Sequence, residues 1–379
     1  MKRILIYAIV LAALSSCITL DSPHPRRFER SVLIYIAGDN NGLESYAETN
    51  LSYLVAGYLP FRTDSDEVLL VFVDDGGGQT ALYRYYYGED RNVYRELARR
   101  YEEPFCSAKA SSLSLVLDDA ERLYPSRHRG LVLWSHGTGW LPVGYYSNPS
   151  ASKSFAQEGE CEMDVRDLAG AVCRHYDFIL FDCCLMSAVE VAYQLRDKAD
   201  YIIASCAEIL AEGFPYGEIV GDMFCRSGVA PAFYVNICEK YFSHYDACIG
   251  AGRSATVSLI DCGALEELAA VCKDIYASNR EARAGVDPAT VQHYFRGNKR
   301  WFYDLDDYVS KFASETQYER FKLILDRCVP YRQATDMILG QIEVRTHCGL
   351  STYIPDDKWE YLNQYYSSLD WAVDVGVVY

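Results

Sequence analysis

Short apolar runs, each closed by a polar turn and followed by a helical period, constrain this chain more than any other feature. "SVLIYIAGDNN" (residues 31–41) ends in a glycine and a polar turn, and "EVLLVFVDDGGG" (67–78) repeats the pattern, with a helix expected between them over 45–58. In "SSLSLVLDDAERLY" (111–124), Leu113, Val116, Leu117, Ala120 and Leu123 fall at helical spacing behind a serine cap. "GLVLWSHGTGW" is strand-like over 131–134; "FILFD" (178–182) and "YIIAS" (201–205) are further strands, with a helix expected over 185–195. Runs this short and this apolar suit strands covered on both faces. Their alternation with helices predicts βαβ units and a mainly parallel sheet. The pattern continues past residue 250 with strand "TVSLID", helix "ALEELAAVCKDIY" and a late strand "LSTYIP". In that helix Leu265, Leu268, Cys272 and Ile275 share one face. The expected fold is α/β, a sheet flanked by helices over 31–252 and a C-terminal α/β subdomain over 253–379.

The N-terminus carries an export pattern. Lys2 and Arg3 precede the apolar run "ILIYAIVLAAL" (4–14), which is too short for a typical membrane span. It ends in "LSSC" (14–17), which resembles a bacterial lipobox. Residues 1–16 are therefore expected to leave as a signal peptide, with Cys17 lipidated and residues 17–30, rich in proline and arginine, as a tether. The expected location is a bacterial membrane, periplasmic or cell-surface facing, with the lipid at Cys17 as the only membrane contact. No other apolar run approaches the roughly 18 residues of a transmembrane helix. The formal charge is −17, and it becomes −19 once Lys2 and Arg3 are gone. That argues against nucleic acid, where a basic patch is needed, and suits a basic ligand steered by a negative surface. A monomer is expected. The 14 cysteines show no repeated spacing, so neither a disulfide framework nor a metal site is read from them. Several, such as Cys262 and Cys272, sit in apolar periods where a buried thiol is natural.

In an open parallel sheet, ligands bind where the strands end at their carboxyl side. His136 follows one such strand, and Asp182, Cys183 and Cys184 follow another. If the two strands are neighbours, an imidazole meets a thiol, the minimum for nucleophilic cysteine catalysis. A cysteine opening the helix expected over 185–195 would have its pKa lowered by the helix dipole. Gly137 leaves a backbone N–H accessible to a carbonyl oxygen, as an oxyanion hole requires. Residues two apart in extended chain point the same way. Cys184 therefore shares a side with Asp182, next to a carboxylate that suits a basic substrate side chain, and Cys183 packs behind the strand.

Taken in order, these motifs resemble the caspase–gingipain–legumain clan of cysteine peptidases. "DCCLM" and "YIAGDNNGLE" resemble the clostripain family in particular, as do "AEILAEGFPYG", "SLIDCGALEELA", "YDLDDYV", "GLSTYIP" and the segment around Trp371. The resemblance implies a caspase-like fold and endopeptidase activity on protein or peptide substrates, after Arg or Lys. It implies His136 as general base or acid, Cys184 as nucleophile, Gly137 in the oxyanion hole and Asp182 in the specificity pocket. A second pocket acid is expected from "SCAEILAEG", with Glu208 preferred to Glu212. Cys183 departs from the family pattern, where a small residue such as alanine often stands. Several members need calcium, which makes Ca2+ a candidate cofactor; acid-rich loops here, such as "DDGGG" and "DLDD", do not by themselves establish it. Family members are often activated by a cut in the segment between the two strands, whose stretch 141–162 holds one basic residue, Lys153, the expected site of self-cleavage. The alternatives are a catalytically inactive caspase-like lipoprotein that binds basic peptides, and a glycan-binding lipoprotein suggested by tyrosine-rich runs such as "YRYYYGED".

Overall fold

A computed structural model of the chain describes residues 26–377 except 40–41, 64, 75–79, 145–154, 159–160, 226–229 and 296–298. Cys17 and Lys153 lie outside the described residues. Strand β1 (Phe28–Ala37) is followed by helix α1 (Glu44–Ala56), then by β2 (Glu67–Asp74), β3 (Ala81–Tyr87) and β4 (Val93–Arg100). Helix α2 (Ala110–Leu123) leads to β5 (Ser126–Trp134), and a hairpin of β6 (Phe155–Glu158) and β7 (Cys161–Met163) leads to α3 (Val165–Ala171). Next come β8 (Tyr176–Asp182), α4 (Val189–Gln194), β9 (Ala199–Ala204), α5 (Tyr216–Met223) and α6 (Ala232–Asp246). The chain continues through β10 (Thr256–Asp261), α7 (Leu265–Ser278), the short β11 (Tyr303–Asp304) and β12 (Tyr331–Ala334).

Nine of these strands form one sheet in the order β12-β10-β9-β8-β5-β1-β2-β3-β4. The run β9-β8-β5-β1-β2 is parallel, whereas β10 and β3 pair antiparallel at its two sides. Strands β10 and β12, from beyond residue 252, thus extend the sheet built by the first part of the chain. The central strands are apolar throughout because both faces are covered. Helices α1, α5 and α6 pack on one face, and α2, α3, α4 and α7 on the other. Burying a side chain such as Leu131, Val132, Ile179 or Leu180, all fully buried here, contributes about 1.5–3 kcal/mol.

The elements differ from expectation in particular places. Strand β1 starts at Phe28, ahead of its apolar run, because Arg30 pairs with Glu67 and His128 across the sheet and with the Asp177 carboxylate at 2.5 Å. The late strand is reduced to Ser351–Thr352, paired with β11 in a separate small sheet. The tyrosines of β3 are mostly packed into the sheet. Tyr83, Tyr85 and Tyr86 are buried, which is ordinary strand packing. No helix among the described residues is long and apolar enough to cross a membrane.

Candidate active site

Strands β9, β8 and β5 are consecutive neighbours, and the candidate residues follow their carboxyl ends. Trp134 is the register partner of Asp182. His136 and Cys184 each lie two residues further on, so the two motifs leave the sheet at the same level. The chain order reverses beside this place, between β1 and β5, because β2 lies on one side of β1 and β5 on the other. Such a switch point is where α/β sheets form ligand crevices. A cavity of about 180 Å³ opens at this place, lined by Leu43, His136, Asp182, Cys184, Glu208 and Gly213 among others. Pockets for whole small molecules are roughly 300–1,000 Å³. This one has the size for a single side chain.

His136 and Cys184 are half-buried, and Asp182 and Glu208 are buried. Burial lowers the His136 pKa from its ordinary 6.5, so the ring is neutral at neutral pH and can accept a proton. A thiol and a neutral imidazole beside one cavity can generate a sulfur nucleophile. Cys183 also borders the cavity, but it is buried and its thiol is engaged. Its Sγ donates to the Leu133 carbonyl at 3.0 Å, and burial pushes its thiol well up. Glu212, unlike Glu208, is exposed and absent from the lining.

The expected helix over 185–195 is shorter, and the reason bears on the nucleophile. Leu185 has φ +65°, which L-residues adopt at a cost of roughly 1–2 kcal/mol. Its N–H bonds the Ala207 carbonyl, and the Ser187 N–H bonds that of Ser205, each at 2.9 Å. The chain therefore reverses just past Cys184 and runs beside the continuation of β9. Helix α4 begins only at Val189. Cys184 is thus not at a helix N-terminus, and the dipole expected to act on it does not. A different donor reaches the sulfur, the backbone N–H of Ile209, 3.3 Å from Sγ.

Gly137 has a steric role. A Cβ there would lie 2.6 Å from the Cys184 carbonyl oxygen and 2.8 Å from Cys183 Cβ. Only glycine lets the His136 loop close onto the Cys184 loop. Asp182 is held by the turn at residues 213–216. Its Oδ2 accepts from the Phe214 N–H at 3.1 Å and the Tyr216 hydroxyl at 2.9 Å. Burial nevertheless outweighs these bonds and pushes its carboxyl up to about 6. Gly213, at φ +68°, wraps this turn over the acid; a Cβ there would sit 2.5 Å from Oδ2. The signal for this support was the "GFPY" turn (213–216) directly after the acid-bearing loop.

The calcium candidate fares differently. Asp304 accepts from the N–H groups of Asp307 and Cys348 and from the Tyr294 hydroxyl. Asp306 pairs with Lys322, and Asp307 with Lys311. The carboxylates of "DLDD" are thus largely engaged by protein donors, apart from Asp306 Oδ1, which is buried without a hydrogen-bond partner. Residues 75–78 of "DDGGG" lie outside the described residues. Among the described residues no group of three or more His, Cys, Asp or Glu is placed to hold a metal ion.

The model of the clostripain family matches residues 34–373. The chain belongs to the clostripain family. It is therefore a cysteine peptidase by family. It is similar to the structure of an inactive zymogen C11 protease from Parabacteroides distasonis, with 34% identity and a TM-score of 0.80, covering 93% of this chain and 99% of that one. It is also similar to a secreted C11 cysteine protease from Bacteroides thetaiotaomicron solved with an irreversible peptide inhibitor, at 29% identity and TM-score 0.79, covering 92% and 98%. A clostripain from Bacteroides thetaiotaomicron in complex with the peptide inhibitor BTN-VLTK-AOMK aligns over 58% of this chain and 97% of its own, with 28% identity and TM-score 0.50. A search among curated proteins found no match.

Proposed function

We propose that this clostripain-family member is an exported, lipid-anchored endopeptidase that cleaves after Arg or Lys. Cys184 attacks the scissile carbonyl, with His136 taking the thiol proton and later giving it to the leaving amine. The loop at Gly137 supplies the oxyanion contact. Asp182 receives the guanidinium or ammonium of the substrate in a charge-assisted hydrogen bond, and Glu208 adds a second negative group at the cavity wall. The observation that carries this reading is the convergence of a thiol, an imidazole and two buried acids on one side-chain-sized cavity at adjacent strand ends. A relative's inhibitor peptide that ends in lysine supports the basic preference. The secreted relative supports export, and the "LSSC" sequence supports lipidation of Cys17. The pairing of Cys184 with His136 favours turnover over mere peptide binding.

Self-cleavage after Lys153 is the proposed activation step. Described residues on either side of this site are bonded to the rest of the protein: Gly144 N–H bonds the Glu162 carboxylate at 2.9 Å, and Ala156 N–H bonds the His136 carbonyl at 3.1 Å. Ala156, three residues after Lys153, is thus bonded directly to the loop of the candidate catalytic His136. The test is to incubate purified protein, sequence the fragment ends and profile cleavage of a peptide library. A cut between Lys153 and Ser154 that is missing in Cys184→Ala, and library cleavage confined to Arg and Lys, are expected. A cut that persists in Cys184→Ala would overturn self-cleavage, and library cleavage after acidic or apolar residues would overturn the specificity.

A further inference from the structure

Away from the cleft, two thiols from distant parts of the chain meet. Cys106 lies in the loop leading into α2, and Cys161 opens β7. The β6–β7 hairpin brings them together. Glu158 is the register partner of Cys161 within the hairpin. Its Oε2 accepts from the Ser107 N–H at 2.6 Å and from the Ser107 hydroxyl at 3.1 Å. Cys106 precedes Ser107 in the chain, and its thiol is in hydrogen-bond contact with that of Cys161. Both thiols are half-buried, within reach of an oxidant, whereas Cys183, Cys206, Cys238, Cys272 and Cys348 are buried.

We propose that Cys106 and Cys161 form a disulfide in the exported protein. The oxidising compartment rests on the proposed export; the meeting of the two thiols does not. The oxidant is a disulfide of the thiol–disulfide exchange class, such as a disulfide-bearing oxidoreductase or oxidised glutathione. One cysteine attacks it as thiolate, forms a mixed disulfide and releases one donor thiol. The second cysteine then attacks the mixed disulfide, the Cys106–Cys161 bond forms, and the second donor thiol leaves. Two hydrogens are lost from the protein, and two electrons pass to the donor. Burial, the contact with Cys161 and the charge of Glu158 all push the Cys106 thiol up.

The bond would have a consequence for the peptidase. The same hairpin carries Ala156, whose N–H holds the His136 carbonyl. A disulfide at Cys161 ties that support to the loop before α2. After a cut at Lys153, Cys106 belongs to the N-terminal chain and Cys161 to the C-terminal chain. The disulfide then joins the two chains covalently and keeps the hairpin under His136.

The experiment uses full-length exported protein carrying Cys184→Ala, which removes self-cleavage from the result. Thiols are alkylated under denaturing conditions without reductant, and the digest is analysed by mass spectrometry. The expected result is a linked peptide pair containing Cys106 and Cys161 that disappears on reduction, with Cys106 becoming alkylated in Cys161→Ser. The same bond should form when reduced, folded protein is treated with oxidised glutathione. Cut wild-type protein should run as one band without reductant and two with it. Alkyl label on both cysteines in the exported and in the glutathione-treated protein would overturn the proposal. A bond formed in glutathione but missing from recovered protein upholds the pairing and counts against the exported location instead.

Discussion

Asp182→Asn keeps the size of the side chain and removes its charge. The carboxyl, ordinarily at 3.8, is pushed up to about 6 by burial. The folded protein therefore holds this proton more tightly than the unfolded chain does. Its stabilising effect is full below about 3.8 and is lost as pH rises through about 6. Keeping the group ionised at neutral pH costs about 3 kcal/mol, from a shift of about two units. Asparagine has no such cost, and its Oδ1 can still accept from the Phe214 N–H and the Tyr216 hydroxyl. Its amide N–H groups need new partners at the cavity, which offsets about 1–3 kcal/mol of the gain. The variant should therefore melt at or above the wild-type temperature at neutral pH, and its advantage should vanish in acid. Activity should move the other way. Loss of a buried charged partner costs about 2–5 kcal/mol, roughly a 30- to 5,000-fold fall in kcat/KM on Arg and Lys substrates. The assay pairs fluorogenic Arg and Lys peptides with thermal melts at neutral and acid pH. A variant that melts well below wild type at neutral pH, or that retains wild-type kcat/KM, would refute this account of Asp182.

Other consequences can be checked with the same substrates. Gly137→Ala forces a Cβ to within 2.6 Å of the Cys184 carbonyl oxygen; overpacking of this kind costs about 1–3 kcal/mol, and a 1 Å displacement of the nucleophile about 100-fold in rate. A variant with unchanged kcat/KM would show that the two loops do not depend on this contact. The acid limb of kcat/KM should have its midpoint near pH 6, where Asp182 gains its proton, and it should be absent from the residual activity of Asp182→Asn. A wild-type profile flat through that range would contradict the raised carboxyl.

Much of the parallel core was legible because strands buried on both faces are apolar throughout. Those at β1, β2, β5, β8 and β9 show it, and the helical periods of α2 and α7 were legible in the same way. What escaped has physical reasons. Strand β4 is a mostly exposed edge, so its residues alternate no clear apolar face. The period of α6 is carried largely by Tyr234, Tyr241 and Tyr245, which are buried yet read as polar. The direction of β10 leaves no mark in its composition. At the site, His136, Cys184 and Asp182 could be brought together because strand-end position is a property of the sequence. The reversal at Leu185 and the Ile209 N–H on Cys184 could not. Both depend on backbone bonds between segments about twenty residues apart, and a backbone donor has no residue identity to read.

The most direct test of the central claim is covalent labelling of the folded wild-type enzyme with a lysine- or arginine-directed chloromethyl ketone, followed by peptide mass mapping. Cys184 and Cys183 are adjacent in the chain and both border the cavity, yet only Cys184 is half-buried, while Cys183 is buried and bonded to the Leu133 carbonyl. The account predicts a single adduct, on Cys184, that is lost in Cys184→Ala, retained in Cys183→Ala and slowed in Asp182→Asn. An adduct on Cys183, or no adduct in an active enzyme, would contradict it.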